Sequence, residues 1–116
     1  MTSKNNNSVI FTTQLASDVN ALLQGVSSEQ LFILTDEHTK IHCLPILQSE
    51  GAMKNAKVYT MPCGDHSKTI ETVVEIWKFL GENGGTRKSM LINLGGGVVT
   101  DLGGFVANTF KRGIRF

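Results

Sequence analysis

The sequence predicts a doubly wound α/β domain built on a mainly parallel sheet, and three observations carry that expectation. Short β-branched or apolar runs alternate with segments of helical period along the chain. One run, Gln30-Leu31-Phe32-Ile33-Leu34-Thr35, is almost continuously apolar, as a strand covered on both faces must be. Another, ending Met90-Leu91-Ile92-Asn93-Leu94, leads into Gly95-Gly96-Gly97 and then an apolar helix, which is the strand, glycine and helix order of an anion cradle.

Each element follows from its residues. Met1 to Ser8 is a polar Asn/Ser stretch expected to be a disordered tail without the apolar core of a signal peptide. Val9-Ile10-Phe11-Thr12-Thr13 has the β-branched and aromatic character of a strand, and Leu15, Val19, Leu22 and Leu23 then recur at helical spacing before Gly25. After the strand at 30–35, residues 39 to 49 include a helix whose bounds are blurred by Pro45. Ala56 to Met61 is the next strand, closed by Pro62. The best-defined helix follows, with Ser67 as its expected N-cap and Ile70, Val73, Val74, Trp77 and Leu80 as one apolar stripe, Trp77 in the core. Gly81, Gly84 and Gly85 end it. Ser89 to Leu94 is the fourth strand, and Ile114 opens a fifth. Ligands on such sheets sit beyond the carboxyl ends of the strands. Asp36, the 63–68 loop and the 95–97 turn should therefore rim one crevice.

The helix after the glycines has no charged residue between Asp101 and Lys111. A helix that apolar wants cover on every side, so a further domain or a second subunit is expected to pack on it.

Composition narrows the function classes. At 116 residues the chain is one small domain, and 41% apolar residues with net charge +1 provide no overall basic field for nucleic acid. No apolar run approaches the roughly 20 residues that span a bilayer, so no membrane contact is expected and a cytoplasmic address follows. Cys43 and Cys63 form no C-x-x-C pair and read as reduced structural thiols. His42 and Cys43 adjoin and would diverge, so no metal site is expected within the chain.

The glycine turn departs from the dinucleotide fingerprint G-x-G-x-x-G, because Thr100 stands where its third glycine belongs. The longer string GGGVVTDLGGF, followed by Lys111-Arg112-Gly113-Ile114-Arg115-Phe116, resembles the GGGV-x-x-D-x-x-GF…RG-hydrophobic stretch of 3-dehydroquinate synthases. Leu34-Thr35-Asp36-Glu37-His38 is similar to that family's strand-end Asp segment. Cys63-Gly64-Asp65-His66-Ser67-Lys68 is similar to its G-E-x-x-K loop. Three departures stand out: Asp65 for the usual Glu, His38 for a frequent Asn, and Thr100 for a frequent Gly.

The resemblance covers most of the chain and implies a Rossmann-like N-terminal NAD-binding domain at residues 9–116, the first part of a two-domain enzyme whose helical metal-binding domain lies outside this chain. It implies conversion of 3-deoxy-D-arabino-heptulosonate 7-phosphate to 3-dehydroquinate and phosphate, a carbon–oxygen lyase reaction of the shikimate pathway and aromatic amino acid biosynthesis. The cofactors implied are NAD and a divalent metal, zinc or cobalt, with ligands beyond Phe116, so the chain alone is expected to be inactive. A homodimer is implied for the whole enzyme.

Roles carry over residue by residue. The resemblance puts Asp36 on the adenosine side of NAD, Asp65, His66 and Lys68 in the cofactor loop, the main-chain amides of Gly96, Gly97 and Val98 on the pyrophosphate, and Asp101 near the nicotinamide. It puts Arg112 on the substrate's phosphate, near a subunit interface. Each residue also has an ordinary structural reading: Asp36 as an N-cap, Asp65 and Lys68 as a solvated pair, the glycines as a tight turn, and Asp101 and Arg112 as charges suited to helix ends. Other sugar phosphate cyclases, such as 2-deoxy-scyllo-inosose synthase, share the GGGV-x-x-D pattern, and iron-dependent alcohol and glycerol dehydrogenases are more distant relatives. A non-catalytic nucleotide-binding module is the alternative from another class.

Overall fold

Parallel pairing of three strands organises the chain, in a computed structural model that describes residues 9–116; the tail expected at 1–8 lies outside the described residues. In chain order the elements are α1 (Leu15–Leu22), β1 (Leu31–Asp36), α2 (Glu37–His42), α3 (Leu44–Leu47), β2 (Lys57–Met61), α4 (Ile70–Glu82), β3 (Met90–Leu94) and α5 (Gly97–Thr109). The sheet order is β2-β1-β3, with Ile33 opposite Val58 on one side and Ile92 on the other.

β1 is central because its sequence tolerates no exposed face. Phe32 and Leu34 point into a cluster with Val73, Ile76 and Leu80 of α4 and Val99, Leu102 and Val106 of α5. Leu31 and Ile33 alternate to the other face, against Leu23, Leu44, Leu47 and Met53. All four β1 side chains are fully buried. Two-sided cover of a mainly parallel sheet is the doubly wound arrangement expected.

Several local expectations are corrected. Val9 to Thr13 forms no strand: Val9 and Phe11 are 79% and 93% exposed, and no neighbouring strand pairs with them. β propensity describes fit to a half-buried pleated surface, and this segment meets no such surface. The described strands therefore number three instead of four, with a single bridge, Met90 to Arg115, where the fifth was expected.

The helix at 39–49 is two helices, since Pro45 lacks an N–H and its ring would clash with the carbonyl four residues back; the chain breaks at Cys43 and Pro45 enters the first turn of α3. Thr69, not Ser67, caps α4, its hydroxyl accepting from the Thr72 amide at 3.2 Å. The buried stripe of α4 is Val73, Ile76 and Leu80, while Ile70 is 60% exposed. Trp77 is half-buried, and its indole N–H donates to Thr109 Oγ1 at 3.1 Å, tying α4 to α5. Among the described residues no helix is long and apolar enough to cross a membrane.

Candidate functional site

The chain leaves β1 for β2 at one edge, then crosses back to place β3 on the far side of β1. α2 and α3 follow β1 on one face, whereas α5 follows β3 on the other. Such a switch point opens a crevice beyond the carboxyl ends of the two strands. Asp36 lies at one lip and Gly95 to Gly97 at the other.

Asp36 closes β1 and starts α2. Its Oδ1 accepts from the amides of His38 at 2.9 Å and Thr39 at 2.8 Å, while its own amide donates to Thr39 Oγ1 at 3.1 Å, a reciprocal capping box. The Thr39 amide, the Thr39 hydroxyl, the His38 amide and the nearby His38 ring together hold the carboxyl below its usual range, against the opposing effect of burial. Oδ2 makes none of these bonds. The N-cap reading is therefore right, and it leaves one carboxylate oxygen for a second partner.

Thr39 has a further role that pattern reading missed. Its hydroxyl donates to the Leu94 carbonyl at 2.9 Å, 55 residues away, so the end of β1 is tied to the residue before the glycine turn. Only contact between the two strand ends reveals this.

The turn works through space more than through backbone angles. None of Gly95, Gly96 and Gly97 has positive φ, so glycine is not required there for backbone conformations closed to other residues. A Cβ on Gly95 would strike Val99 Cγ2 at 2.7 Å, so that glycine serves packing. A Cβ on Gly96 or Gly97 would meet nothing within 4 Å, and both residues face open space. Gly96 caps α5 without any side-chain bond, and the first helical bond runs from the Thr100 amide to the Gly96 carbonyl at 3.0 Å. The amides of Gly97, Val98 and Val99 are consequently left at the positive end of a 13-residue helix with no intrahelical acceptor.

Gly103 performs the close packing that the third fingerprint glycine provides elsewhere, one turn beyond Thr100. A Cβ there would fall 1.9 Å from Asn93 Oδ1, a buried oxygen without a hydrogen-bond partner. Single-sequence pattern could not single out Gly103, since Gly104 beside it looks the same.

The 63–68 loop completes the rim. The Cys63 amide donates to Glu37 Oε1 at 3.4 Å, Gly64 turns at φ +100°, and Asp65 to Ser67 form one 3₁₀ turn. Lys68 pairs with Asp101 of α5 at 3.0 Å, not with Asp65. Both partners are at least half exposed, so the pair adds little stability and mainly fixes where two charges stand. Asp65 and His66 are exposed on the same loop, and the Ser67 hydroxyl is buried without a partner.

Arg112 is not brought to this crevice. It lies past the far end of α5, roughly 20 Å along the helix axis. There it lines a cavity of about 430 Å³ with Gly85, Thr86, Arg87 and Lys111. Lys111 and Arg112 both take left-handed backbone angles, φ 46° and 68°, which non-glycine residues seldom adopt. Among the described residues no group of three or more His, Cys, Asp or Glu could hold a metal ion, and Cys43 and Cys63 are free thiols.

The chain is similar to known proteins in sequence and in fold. A family described as 3-dehydroquinate synthase N-terminal matches residues 58–116. The chain is 40% identical over 107 residues to the 3-dehydroquinate synthase of Parabacteroides distasonis, covering 92% of this chain and 30% of the relative. It is 62% identical over 65 residues to that of Thermococcus kodakarensis, covering 56% of this chain and 19% of the relative. The chain thus spans less than a third of the length of these curated relatives. Among solved structures, a 2-epi-5-epi-valiolone synthase from Streptomyces hygroscopicus subsp. jinggangensis superposes with TM-score 0.71 at 24% identity, covering 92% of this chain and 30% of that one. A 2-deoxy-scyllo-inosose synthase gives 0.66 at 21% identity, covering 86% and 28%. At these identities the structures establish the fold.

Proposed function

The chain belongs to the 3-dehydroquinate synthase N-terminal family, and from that premise we propose that residues 9–116 form the NAD-binding part of a 3-dehydroquinate synthase. What supports the reading is the Thr39 hydroxyl's tie between the Asp36 cap and the residue before the glycine turn, together with the Lys68–Asp101 pair and the free amides after Gly96.

The residues fit a dinucleotide. Open space outside Gly96 and Gly97 lets a pyrophosphate reach the amides of Gly97 and Val98, where helix-end amides and the dipole both favour anions. Asp36 Oδ2 is free to accept from ribose hydroxyls while Oδ1 keeps the helix capped. Asp65, His66 and Lys68 stand on the loop after β2, and Asp101, in the second turn of α5, pairs with Lys68, which supplies positive charge. When bound, NAD supplies a hydride acceptor for transient oxidation of the substrate. What this chain does is bind, orient and shield that cofactor.

The described residues do not fit a divalent metal, so zinc or cobalt takes its ligands from outside this chain. The substrate is a heptulosonate phosphate, the whole enzyme is a homodimer, and Arg112 meets the phosphate from its place past α5. Two free cysteines suit a reducing cytoplasm. Without the metal-binding part the chain binds NAD and turns nothing over.

Isothermal titration of the chain with NAD tests the reading. Saturable one-to-one heat is expected, and Gly97→Asp, which places a carboxylate among the amides, should abolish it; absence of heat with the wild-type chain would overturn the proposal. Assay of a full-length parent against heptulosonate phosphate and glucose 6-phosphate decides between this enzyme and another sugar phosphate cyclase.

A further inference from the structure

The opposite end of the sheet carries a concentration of positive charge that the crevice does not use. Arg87 and Lys88 precede β3, Arg115 is bridged beside Met90, and Gln30 precedes β1. Together with Ser27 these side chains line a cavity of about 400 Å³ that no carboxylate lines. It lies at the amino ends of the strands, roughly 16 Å along β3 from the glycine turn. The Lys68–Asp101 contact is the one ion pair among the described residues, so none of these three cations is neutralised within the described part of the chain.

We propose that this cavity binds a compact anion of the phosphate or pyrophosphate class. Net charge is only +1, so the excess is local to this end and not a property of the whole surface. A depression of small-molecule size suits one phosphorylated group and not an extended nucleic-acid backbone, which needs a continuous track. The polar groups are arranged for it: Gln30 Oε1 accepts from the hydroxyls of Thr86 at 3.0 Å and Ser89, which leaves the amide NH₂ as its free donor. Arg115 is held by its main chain, whose carbonyl accepts from the Leu91 amide at 2.9 Å, and its guanidinium remains available for a bidentate grip. A bound anion relieves the mutual repulsion of three cations sharing one wall.

Calorimetric titration of the chain with sodium pyrophosphate, then with inorganic phosphate, at low ionic strength tests the site. Saturable binding of pyrophosphate is expected, tighter than that of phosphate. Arg115→Gln, Arg87→Gln and Lys88→Gln should each weaken it about tenfold by removing a charge-assisted bond. All three residues are exposed, so the fold should persist, and thermal melting checks each variant. In a Gly97→Asp, Arg112→Gln background, where the crevice amides and the neighbouring cavity are disabled, saturable pyrophosphate binding should persist. Loss of binding in Gly97→Asp would assign the anion to the crevice, and loss in Arg112→Gln to the neighbouring cavity; either result overturns the proposal. So would equal affinity in the wild type and all three charge variants, or no saturable binding at all. Because Gly97→Asp separates the two ends, failure here leaves the NAD reading standing, and failure of NAD binding leaves this one.

Discussion

The two ends of the sheet present hydrogen-bond donors and positive charge by different physics. At the carboxyl end the donors are backbone amides at the start of α5, and the side-chain charges there are matched, Lys68 with Asp101. At the amino end the donors are the unpaired side chains of Arg87, Lys88 and Arg115. Backbone donors cannot be mutated away, only obstructed, and they are held rigid by the helix that generates them. Side-chain donors are removable one at a time and are screened by salt. The first end is therefore a shape to be kept clear, and the second is a sum of charges.

The largest expected effect comes from disturbing the packing that makes the shape. Gly103→Val should lower the melting temperature by roughly 10 °C, through overpacking costs of about 1–3 kcal/mol against Asn93 and the β3 end. Adding Asn93→Ala should restore much of that loss. Additive melting shifts in the double variant would show that the two residues do not collide.

Next is the helix cap. Asp36→Ala removes the acceptor for two α2 amides and should cost about 1 kcal/mol by urea unfolding, with weaker NAD binding. Asp36→Asn sharpens the comparison, because an asparagine caps nearly as well while losing the charge offered to ribose; stability should hold and NAD affinity should drop. Equal affinity in Asp36→Asn and wild type would confine Asp36 to the capping role.

Acid dependence gives a smaller signal with a defined sign. The folded carboxyl of Asp36 lies below its unfolded value of 3.8, so its contribution is complete above that value and is lost as pH falls through the folded one. Urea midpoints taken from neutral pH to about pH 3 should fall less steeply for Asp36→Ala than for wild type. A parallel decline would contradict the assignment.

The smallest stability change belongs to Lys68→Met, below about 1 kcal/mol for so exposed a pair. NAD affinity should nevertheless weaken measurably. If both quantities are unchanged, the pair is a surface contact without a role in the crevice.

Much of the carboxyl-end rim was readable from pattern. β1, β2, β3 and α4 appeared as apolar runs or stripes with punctuation, and ligand sites beyond parallel strands place Asp36, the 63–68 loop and the glycine turn on one side. Thr39 was not readable, because its hydroxyl acts on Leu94, 55 residues on. Lys68 reads from sequence as the partner of Asp65 on its own loop, and its pairing with Asp101 depends on how the loop after β2 leans toward α5.

Residue order alone was enough for features in which each residue's neighbours in the chain are also its neighbours in space: the two-sided burial of β1 and the glycine sequence opening α5. Folding in three dimensions was needed wherever the partner comes from elsewhere. Val9 to Phe11 has the composition of a strand and none of the neighbours, Gly103 rather than Gly104 faces Asn93, and Arg112 stands a helix length away from the residues it follows in the family string. Periodicity reports which face of an element is apolar, but strand pairing, ion pairing and close packing are contacts between distant segments, and the fold fixes which segments meet.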